Sequence, residues 1–583
     1  MKLIVLTSLV LLQSVISFTF NNYVSSSQKH SHGYASKTSC TWTSSSSCTS
    51  RCTSSCASSC FSSCLVSPPQ SPAPSSAPSP STSSTSLSST STLQSNPESS
   101  SSQVSPSNPL RVTIAGAGVG GLALANCLKS NPKIDCRVVE KTSKFRRFGG
   151  PIQLASNALQ VLKEMDSSVY DQVQSKFTNT GDKENGIKDG IRDEWYAKFD
   201  LATPAEDRSM PYTGVIDRPD LQEIFLKSLP EGMVTNGAGV ETYSSVSGGG
   251  LKVSLDDGSS HECDVLIGAD GIWSAVRASM RDEPLKGEGS GVSYSGYTVF
   301  AGELKYASPD NGQVGYKVYI GPKQYFVITD IGNGNYQWYA FLARPPGSGE
   351  TEEMPEGKMP YLKDIFQGWS KDVHAILDVT KEDEIEQRDL YDRPPSVVKP
   401  WTDGKAALIG DAVHAMMPNL GQGGCQAIED AWVLKEEIQN INDRAEIGGA
   451  LNRYRDRRLI RSAAVQGLSR FASDIIIKGF DTPFKYNNGK LENLNYAGVV
   501  TKMMQPILPI FFNIQFNFLY EGYRNDYAVD LKAGAGLLTV GSLLLLLGAG
   551  GIGEGGVLAG MGLEGLLGGE GFEAILANLQ DFF

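Results

Sequence analysis

The sequence predicts an α/β fold in which a Rossmann-like βαβ unit is interleaved with a second, mostly antiparallel β-sheet, followed by C-terminal helices. The β-branched run Arg111–Ala115 leads into a glycine-rich turn, a helix-prone segment and a second short apolar run, which is the order of a βαβ unit. Aromatic residues alternate with other residues between 294 and 341, which predicts strands with one apolar face. The run Ala427–Leu434 is composed of residues that favour a helix.

Composition excludes several classes of protein. The chain has 583 residues, 40% of them hydrophobic and 20% charged, which is enough for a large folded core. With 51 Lys and Arg against 63 Asp and Glu, its net charge is −12, and no Lys/Arg-rich run offers a surface to nucleic acid. We therefore expect no nucleic-acid partner, and a phosphate-bearing ligand has to be held by local geometry.

The first 109 residues differ from the rest. Residues 1–17 have the basic start and the short apolar run of a signal peptide, and Phe18 would follow the cleavage point. Residues 18–109 are rich in Ser, Pro and Cys, poor in acids and without periodicity, which predicts a transit segment and a disordered linker. The combination resembles the two-part presequences that direct proteins to the secondary plastids of algae.

The remaining chain is expected to form one folded domain and a tail. The domain is predicted over residues 110–475, with its second sheet formed by approximately 190–260 and 287–395. Residues 476–583 are expected to be a helical and apolar Gly/Leu-rich tail.

The first glycine-rich turn has the spacing of a dinucleotide-binding site. Gly116 permits a tight turn, Gly118 lets the backbone approach a pyrophosphate, and Gly121 lets the following helix pack on the sheet. Glu140 ends the second predicted strand, 19 residues beyond Gly121, where its carboxylate can accept a hydrogen bond from a ribose hydroxyl. This pattern predicts an adenine dinucleotide but does not say which one.

Two later turns place aspartates at strand ends. Asp270 follows a buried run and precedes a helix, a pattern that an ordinary Asx turn would also produce. Asp411 follows a second buried run, at a place where it can bind a polyol hydroxyl. A glycine-rich loop and another helix come next, with amides that can stabilise an anionic ring at Gly421, Gly423 and Gly424. His414 lies between them without an evident carboxylate partner, and we expect a structural residue rather than a catalytic base.

The three motifs, in this order, resemble those of the FAD-dependent monooxygenases of the p-hydroxybenzoate hydroxylase type. The resemblance implies that the first motif binds the ADP part of FAD, that Asp270 belongs to the second motif and that Asp411 binds the ribityl chain. It also implies that Arg147 and Arg218 support FAD. No Ser/His/Asp triad is evident, and no metal site or catalytic side chain is expected, because the chemistry would occur on the flavin.

Further stretches, among them Gly150–Leu159 and Met417–Cys425, resemble the carotenoid-epoxidising branch of that family. This resemblance implies that NADPH or a reduced carrier reduces FAD, which forms a C4a-hydroperoxide with O2. One oxygen would then pass to the ring alkene of zeaxanthin, giving antheraxanthin and then violaxanthin in a plastid. Two alternatives stay open: an aromatic-ring hydroxylase of the same fold, and a flavoprotein-like membrane scaffold without turnover. The exact carotenoid, the immediate electron donor and the oligomeric state stay open as well.

An apolar C-terminal region suggests contact with a membrane. Residues 533–553 contain no charge, but seven of the 21 are glycine, which weakens a membrane-spanning helix. Residues 506–520 are aromatic and apolar, as in a segment that docks on a surface. We expect peripheral attachment to the thylakoid or envelope through residues 505–553; the alternative is that both segments pack on the folded domain.

Overall fold

The computed structural model describes residues 102–145, 150–310, 312–321, 323–348, 354, 356–479 and 508–522. The predicted signal peptide, Arg147 and the apolar segment 533–553 lie outside these residues, as does the transit segment up to residue 101.

The described residues form nineteen strands. They are β1 (Leu110–Ala115), β2 (Ile134–Glu140), β3 (Ile152–Leu154), β4 (Thr178–Asn179), β5 (Glu184–Asp189), β6 (Trp195–Phe199), β7 (Gly214–Ile216), β8 (Val234–Asn236), β9 (Val240–Ser245), β10 (Leu251–Leu255), β11 (Ser260–Cys263), β12 (Val265–Gly268), β13 (Ser293–Lys305), β14 (Val314–Gly321), β15 (Gln324–Gly332), β16 (Asn335–Ala343), β17 (Glu386–Asp392), β18 (Thr402–Asp403) and β19 (Ala406–Leu408).

The same residues form twelve α-helices. They are α1 (Val119–Leu128), α2 (Ser156–Met165), α3 (Ser167–Lys176), α4 (Ala202–Glu206), α5 (Arg218–Lys227), α6 (Ala275–Arg281), α7 (Lys358–Ile365), α8 (Lys371–Val379), α9 (Asp411–His414), α10 (Gly423–Ile438), α11 (Ile447–Gly479) and α12 (Leu508–Glu521).

A six-stranded sheet brings the three motifs together. Its order is β18-β19-β12-β1-β2-β8, and all strands except β18 run parallel. Strands β1, β12 and β19 are neighbours, and the glycine turn, Asp270 and Asp411 each follow one of them. Because parallel strands end at the same edge of a sheet, the three motifs lie side by side. Helices α1 and α10 pack against each other, and a Cβ at Gly120 would lie 3.1 Å from Ala427 Cβ.

A seven-stranded sheet forms the second layer, in the order β17-β13-β16-β15-β14-β5-β6. All of its pairs are antiparallel except β14 with β5. Its residues belong to two hydrophobic clusters, whereas the alternation predicted one apolar face. The prediction was wrong because helices α7 and α8 cover one face, where Trp338 stacks on Phe326 with 5.4 Å between ring centroids.

The sheet also differs from its predicted boundaries. From the first predicted range, 190–260, it takes only β6, because β5 precedes that range and starts at Glu184. Residues 234–263 lie elsewhere, because β8 extends the parallel sheet while β9, β10 and β11 form a separate antiparallel sheet.

Two domain boundaries are also displaced. Residues 102–109 were predicted to be linker, but Val104 is buried and Arg444 Nη2 donates a hydrogen bond to the Pro109 carbonyl at 2.8 Å. A Ser/Pro-rich composition does not reveal that backbone carbonyls have a partner elsewhere in the chain. Helix α11 continues to Gly479, past the expected boundary at 475.

Helix α12 packs on the folded domain, so the prediction that residues 506–520 dock on another surface was wrong for this helix. Phe511, Phe518, Leu519 and Tyr520 are buried in the main hydrophobic core. The Phe512 ring lies edge-on to Phe199, with 4.3 Å between centroids. Among the described helices, none is both long and apolar enough to cross a membrane.

Candidate functional site

The turn after β1 assigns a different role to each of its glycines. Gly116 has φ +103°, and a Cβ there would lie 2.5 Å from the Ala269 carbonyl oxygen. A Cβ on Gly121 would lie 2.0 Å from the Gly116 carbonyl oxygen, so this glycine is needed for packing. Gly118 has an ordinary extended backbone, and a Cβ there would meet no protein atom within 4 Å. Gly118 therefore faces open space at the N-terminus of α1.

Glu140 holds this turn in place. Its Oε2 accepts a hydrogen bond from the Ala117 amide at 2.7 Å, and its Oε1 accepts one from the Thr142 amide at 2.9 Å. The Gln222 side chain donates to the Ala117 carbonyl at 2.9 Å. The carboxylate shapes the loop before any ligand binds, and its interaction with a ribose stays a prediction.

One carboxylate oxygen of Asp270 accepts hydrogen bonds from the protein and the other does not. Its Oδ2 accepts hydrogen bonds from the Ala275 and Val276 amides at 2.8 and 3.2 Å, at the start of α6. Its Oδ1 is buried and has no hydrogen-bond partner among the described residues. Burial raises the pKa of this carboxyl group. An unpaired buried oxygen favours a ligand hydroxyl or amide at this point.

Asp411 is surrounded by protein atoms yet accessible to solvent, as expected for a side chain at the bottom of a cleft. Burial raises the pKa of its carboxyl group, while the neighbouring His414 and Arg218 oppose the shift. The charge of Arg218 also favours a lower pKa for the phenol of Tyr339, on β16. The structure thus brings Arg218 from the start of α5 to the edge of the predicted site.

The glycine loop before α10 has one open position. Gly421 has φ +61°, and a Cβ there would press on Gln153, while a Cβ on Gly424 would press on Ile152. A Cβ on Gly423, the first residue of α10, would meet nothing within 4 Å. No acidic residue occupies the first turn of α10, so its amides and dipole are available to an anionic group.

His414 has the carboxylate partner that the sequence did not reveal. The histidine is fully buried, and its Nε2 lies 2.6 Å from Asp430 Oδ2. The same oxygen accepts a hydrogen bond from the Gly410 amide at 2.8 Å, directly before Asp411. His414 is therefore held inside the protein, under the loop that carries Asp411.

A buried ionic network supports this loop and was also missed. Arg458 donates to Asp430 Oδ1 at 2.7 Å and to Glu429 Oε2 at 2.6 Å. Arg461 bonds both oxygens of Glu429 and the carbonyls of α12 at Phe518 and Leu519. The sequence signal was an acidic pair within the apolar stretch Ala427–Leu434 of α10, together with arginines three apart on α11. Arginine and carboxylate groups buried in this way require such pairing.

The inner face of the seven-stranded sheet carries an aromatic surface. We call Tyr297, Tyr316, Tyr325, Tyr339 and Phe341 the aromatic face; they belong to or pack against one cluster that includes Met417 of the glycine loop. Tyr325 stacks on Phe341 with 4.2 Å between centroids, and its hydroxyl donates to Asn419 Oδ1 at 2.9 Å. A Cβ on Gly150 would lie 3.0 Å from the Tyr339 hydroxyl, which places this face beside the start of β3.

Comparison with known proteins connects this geometry to a family. The model of the FAD binding domain family matches residues 110–467. The chain belongs to this family. It is 40% identical over 379 residues to the chloroplastic zeaxanthin epoxidase of Spinacia oleracea, covering 63% of this chain and 54% of the relative. It is 41% identical over 377 residues to the same enzyme of an Oncidium hybrid cultivar, with 63% and 55% covered. The chain thus spans about half the length of these relatives.

Solved structures show the same fold. The crystal structure of a single-residue variant of Klebsiella pneumoniae HpxO, complexed with FAD, superposes with a TM-score of 0.56 at 25% identity, covering 63% of this chain and 90% of that one. The predicted α/β fold, the family and the FAD cofactor are confirmed. The residues fit the cofactor: Gly118 and Gly423 leave open space beside two helix N-termini, and Asp270 keeps an unpaired oxygen. The roles of individual residues stay predictions.

Proposed function

We propose that this chain is an FAD-dependent monooxygenase that epoxidises the ring alkene of carotenoids of the zeaxanthin type. NADPH or a reduced carrier is the proposed electron donor, and O2 is the co-substrate. The observation that carries the proposal is the position of the aromatic face next to the glycine loop at Gly421. The relatives named zeaxanthin epoxidases support the same substrate class.

The residues divide the work between cofactor and substrate. Gly118, Asp270, Asp411 and Gly423 would hold FAD, which when bound supplies the redox chemistry that activates O2. Within the aromatic face, the partly buried Tyr316 and Tyr339 would bind an apolar ring by dispersion, and the buried rings behind them would exclude water. Burial raises the pKa of Tyr339 to about 12 and also that of Tyr316, so both hydroxyls stay protonated at neutral pH.

An aromatic-ring hydroxylase would need a general base to ionise a phenol. The sequence favoured a structural role for His414 over that of a base, and its ring is indeed buried and bonded to Asp430 beneath the loop. Tyr325 and Tyr339 of the aromatic face do not supply a base either, because burial raises the pKa of both phenols and keeps them protonated. An alkene has no proton to remove, which favours epoxidation over hydroxylation for this site.

Product analysis tests the proposal. The FAD-loaded protein, supplied with NADPH and a reducing carrier, is incubated with zeaxanthin in lipid, and epoxides are measured by chromatography. We expect a mono-epoxide followed by a di-epoxide, and strong loss of both in Asp411→Ala through loss of FAD. NADPH oxidation stimulated by phenols and not by zeaxanthin would favour the hydroxylase. Failure to bind flavin or to consume O2 would favour the scaffold.

We also propose that the enzyme works in a plastid, at the thylakoid or envelope membrane. The composition of residues 1–109 supports import, and the uncharged segment 533–553 supports peripheral attachment. A fluorescent reporter fused to residues 1–110 should enter the plastid, and the Phe18→Ala fusion should be impaired. A cytosolic signal from the unmodified fusion would contradict the targeting proposal.

A further inference from the structure

A cavity of about 160 Å³ lies beneath the loop that carries Asp411, on a part of the molecule to which no role has been assigned. Arg281, Arg393 and Lys399 contribute cationic side chains to its wall, and Trp401 and Val413 contribute apolar ones. His414 also lines it. A cavity of about 150 Å³ can hold a benzene-sized molecule, so a small oxyanion with a short substituent fits here.

Positive charge in this cavity exceeds negative charge. Glu283 is the one carboxylate in contact with these cations among the described residues, and it is shared by Arg277, Arg393 and Lys399 at 2.7, 3.3 and 3.5 Å. Arg281 instead donates to the Pro400 carbonyl at 2.9 and 2.7 Å. Three cations therefore share this single carboxylate, while Arg281 is bonded to a carbonyl.

The cations are close together and partly removed from water. Arg393 Nη2 and Lys399 Nζ lie 2.8 and 3.2 Å from the position that a Cβ on Gly291 would take. The side chain of Arg393 is 4% exposed, whereas that of Lys399 is 44% exposed. Burial, followed by the charge of Arg393, lowers the pKa of Arg281 to about 10, and burial with the charge of Arg277 lowers that of Arg393. Uncompensated cations this close raise the energy of the free protein, and a bound anion would relieve it.

His414 supplies an independent sign of a missing partner. Its Nε2 is bonded to Asp430, while its Nδ1 is buried without a hydrogen-bond partner among the described residues. Buried polar atoms normally have partners, so this unpaired nitrogen on a residue that lines the cavity points to a ligand, and it donates to an anion when both ring nitrogens carry a proton.

We propose that this cavity binds a phosphate-type dianion, either inorganic phosphate or a phosphomonoester group, and that the bound anion stabilises the Asp411 loop. A dianion matches the excess charge better than chloride or a carboxylate does, and tetrahedral oxygens can accept from several donors at once. Val413 and His414 line the cavity and belong to α9, the helix that begins with Asp411. Anion binding is therefore coupled to FAD binding, and by linkage the coupling is reciprocal.

The experiment titrates the purified full-length protein with inorganic phosphate by calorimetry at constant ionic strength, with chloride as the comparison ion. Lys399→Gln and Arg281→Gln each remove one charge from the wall, while Lys252→Gln removes one from the exposed side of β10. We expect each of the first two variants to weaken phosphate binding by about tenfold. Lys252→Gln should bind phosphate like the parent.

A second readout follows the flavin. FAD affinity of the apoprotein, measured by flavin fluorescence, should increase with phosphate in the parent and in Lys252→Gln, but not in Lys399→Gln. This readout does not depend on carotenoid turnover. The phosphate site can therefore fail this test while the proposed epoxidation holds, and it can pass while the proposed epoxidation fails. Equal binding of phosphate and chloride, or equal phosphate affinity in Lys399→Gln and the parent, would overturn the proposal.

Vesicles distinguish free from lipid-borne phosphate. Parent and Lys399→Gln are floated with neutral vesicles and with vesicles that contain phosphatidic acid. Stronger binding of the parent to the phosphatidic acid vesicles, lost in Lys399→Gln, identifies a lipid phosphomonoester as the ligand. Phosphate binding in solution without this difference identifies a soluble ligand, and failure of both arms overturns the site.

Discussion

At the scale of single residues, the three glycines of one motif have different structural roles. The sequence predicted a tight turn at Gly116 and close packing at Gly121, and the geometry agrees with both. Gly118 faces open space, and its approach to a phosphate stays a prediction. The sequence could not predict that the Asp430 carboxylate would pair with the His414 ring. The two are separated by the glycine loop, and their contact depends on how α10 folds back beneath that loop.

The contrast between Gly118 and Gly121 gives a matched pair of variants. Gly118→Ala should leave the thermal stability of the apoprotein unchanged because its Cβ meets no protein atom, yet weaken FAD binding by about tenfold where the cofactor approaches. Gly121→Ala should destabilise the apoprotein by about 1–3 kcal/mol because its Cβ meets a backbone oxygen. Thermal melts and FAD titrations measure both effects. Unchanged FAD affinity in Gly118→Ala would remove this turn from the cofactor site.

At the scale of elements, α10, α11 and α12 are joined by a buried ionic network. Glu429 and Asp430 are fully buried, and arginine and histidine contacts outweigh burial, so the pKa of each carboxyl is lowered to about 2. In an unfolded chain these groups titrate near ~4.3 and ~3.9. Their contribution to stability is therefore complete above about pH 4.5 and is lost as the pH falls toward 2.

Glu429→Gln should lower the free energy of unfolding at pH 7 by about 3–5 kcal/mol because Arg461 and Arg458 lose a buried partner. The loss of stability between pH 4.5 and 2 should also be shallower than in the parent. Glu436→Gln is the control, since Glu436 pairs with Arg457 near the surface of the same helix and should cost less than about 1 kcal/mol. Chemical denaturation across this pH range measures the free energy of unfolding of both variants. Equal losses of stability in Glu429→Gln and Glu436→Gln would contradict the role of the network.

At the scale of the whole molecule, the sequence predicted the order of parts better than their contacts. Three motifs on neighbouring parallel strands were foreseeable, since a parallel sheet aligns the ends of its strands. The partners of apolar surfaces were not foreseeable. Helix α12 has the composition of a docking segment, but Phe518 and Tyr520 pack in the main core, where Tyr520 Oη lies 2.8 Å from Thr213 Oγ1. Hydrophobicity indicates that a surface is covered without indicating by what.

This distinction decides where the chain should be cut to test membrane attachment. Deleting residues 505–583 would remove α12 from the core and destabilise the protein, so loss of membrane binding would have no meaning. Deleting 533–583 keeps α12, and we expect FAD binding and turnover of detergent-dispersed zeaxanthin to persist while flotation with vesicles weakens. Deleting only 554–583 keeps the uncharged segment 533–553 and should leave flotation intact. Equal flotation of the full chain and the 533–583 deletion would place the membrane contact elsewhere in the molecule.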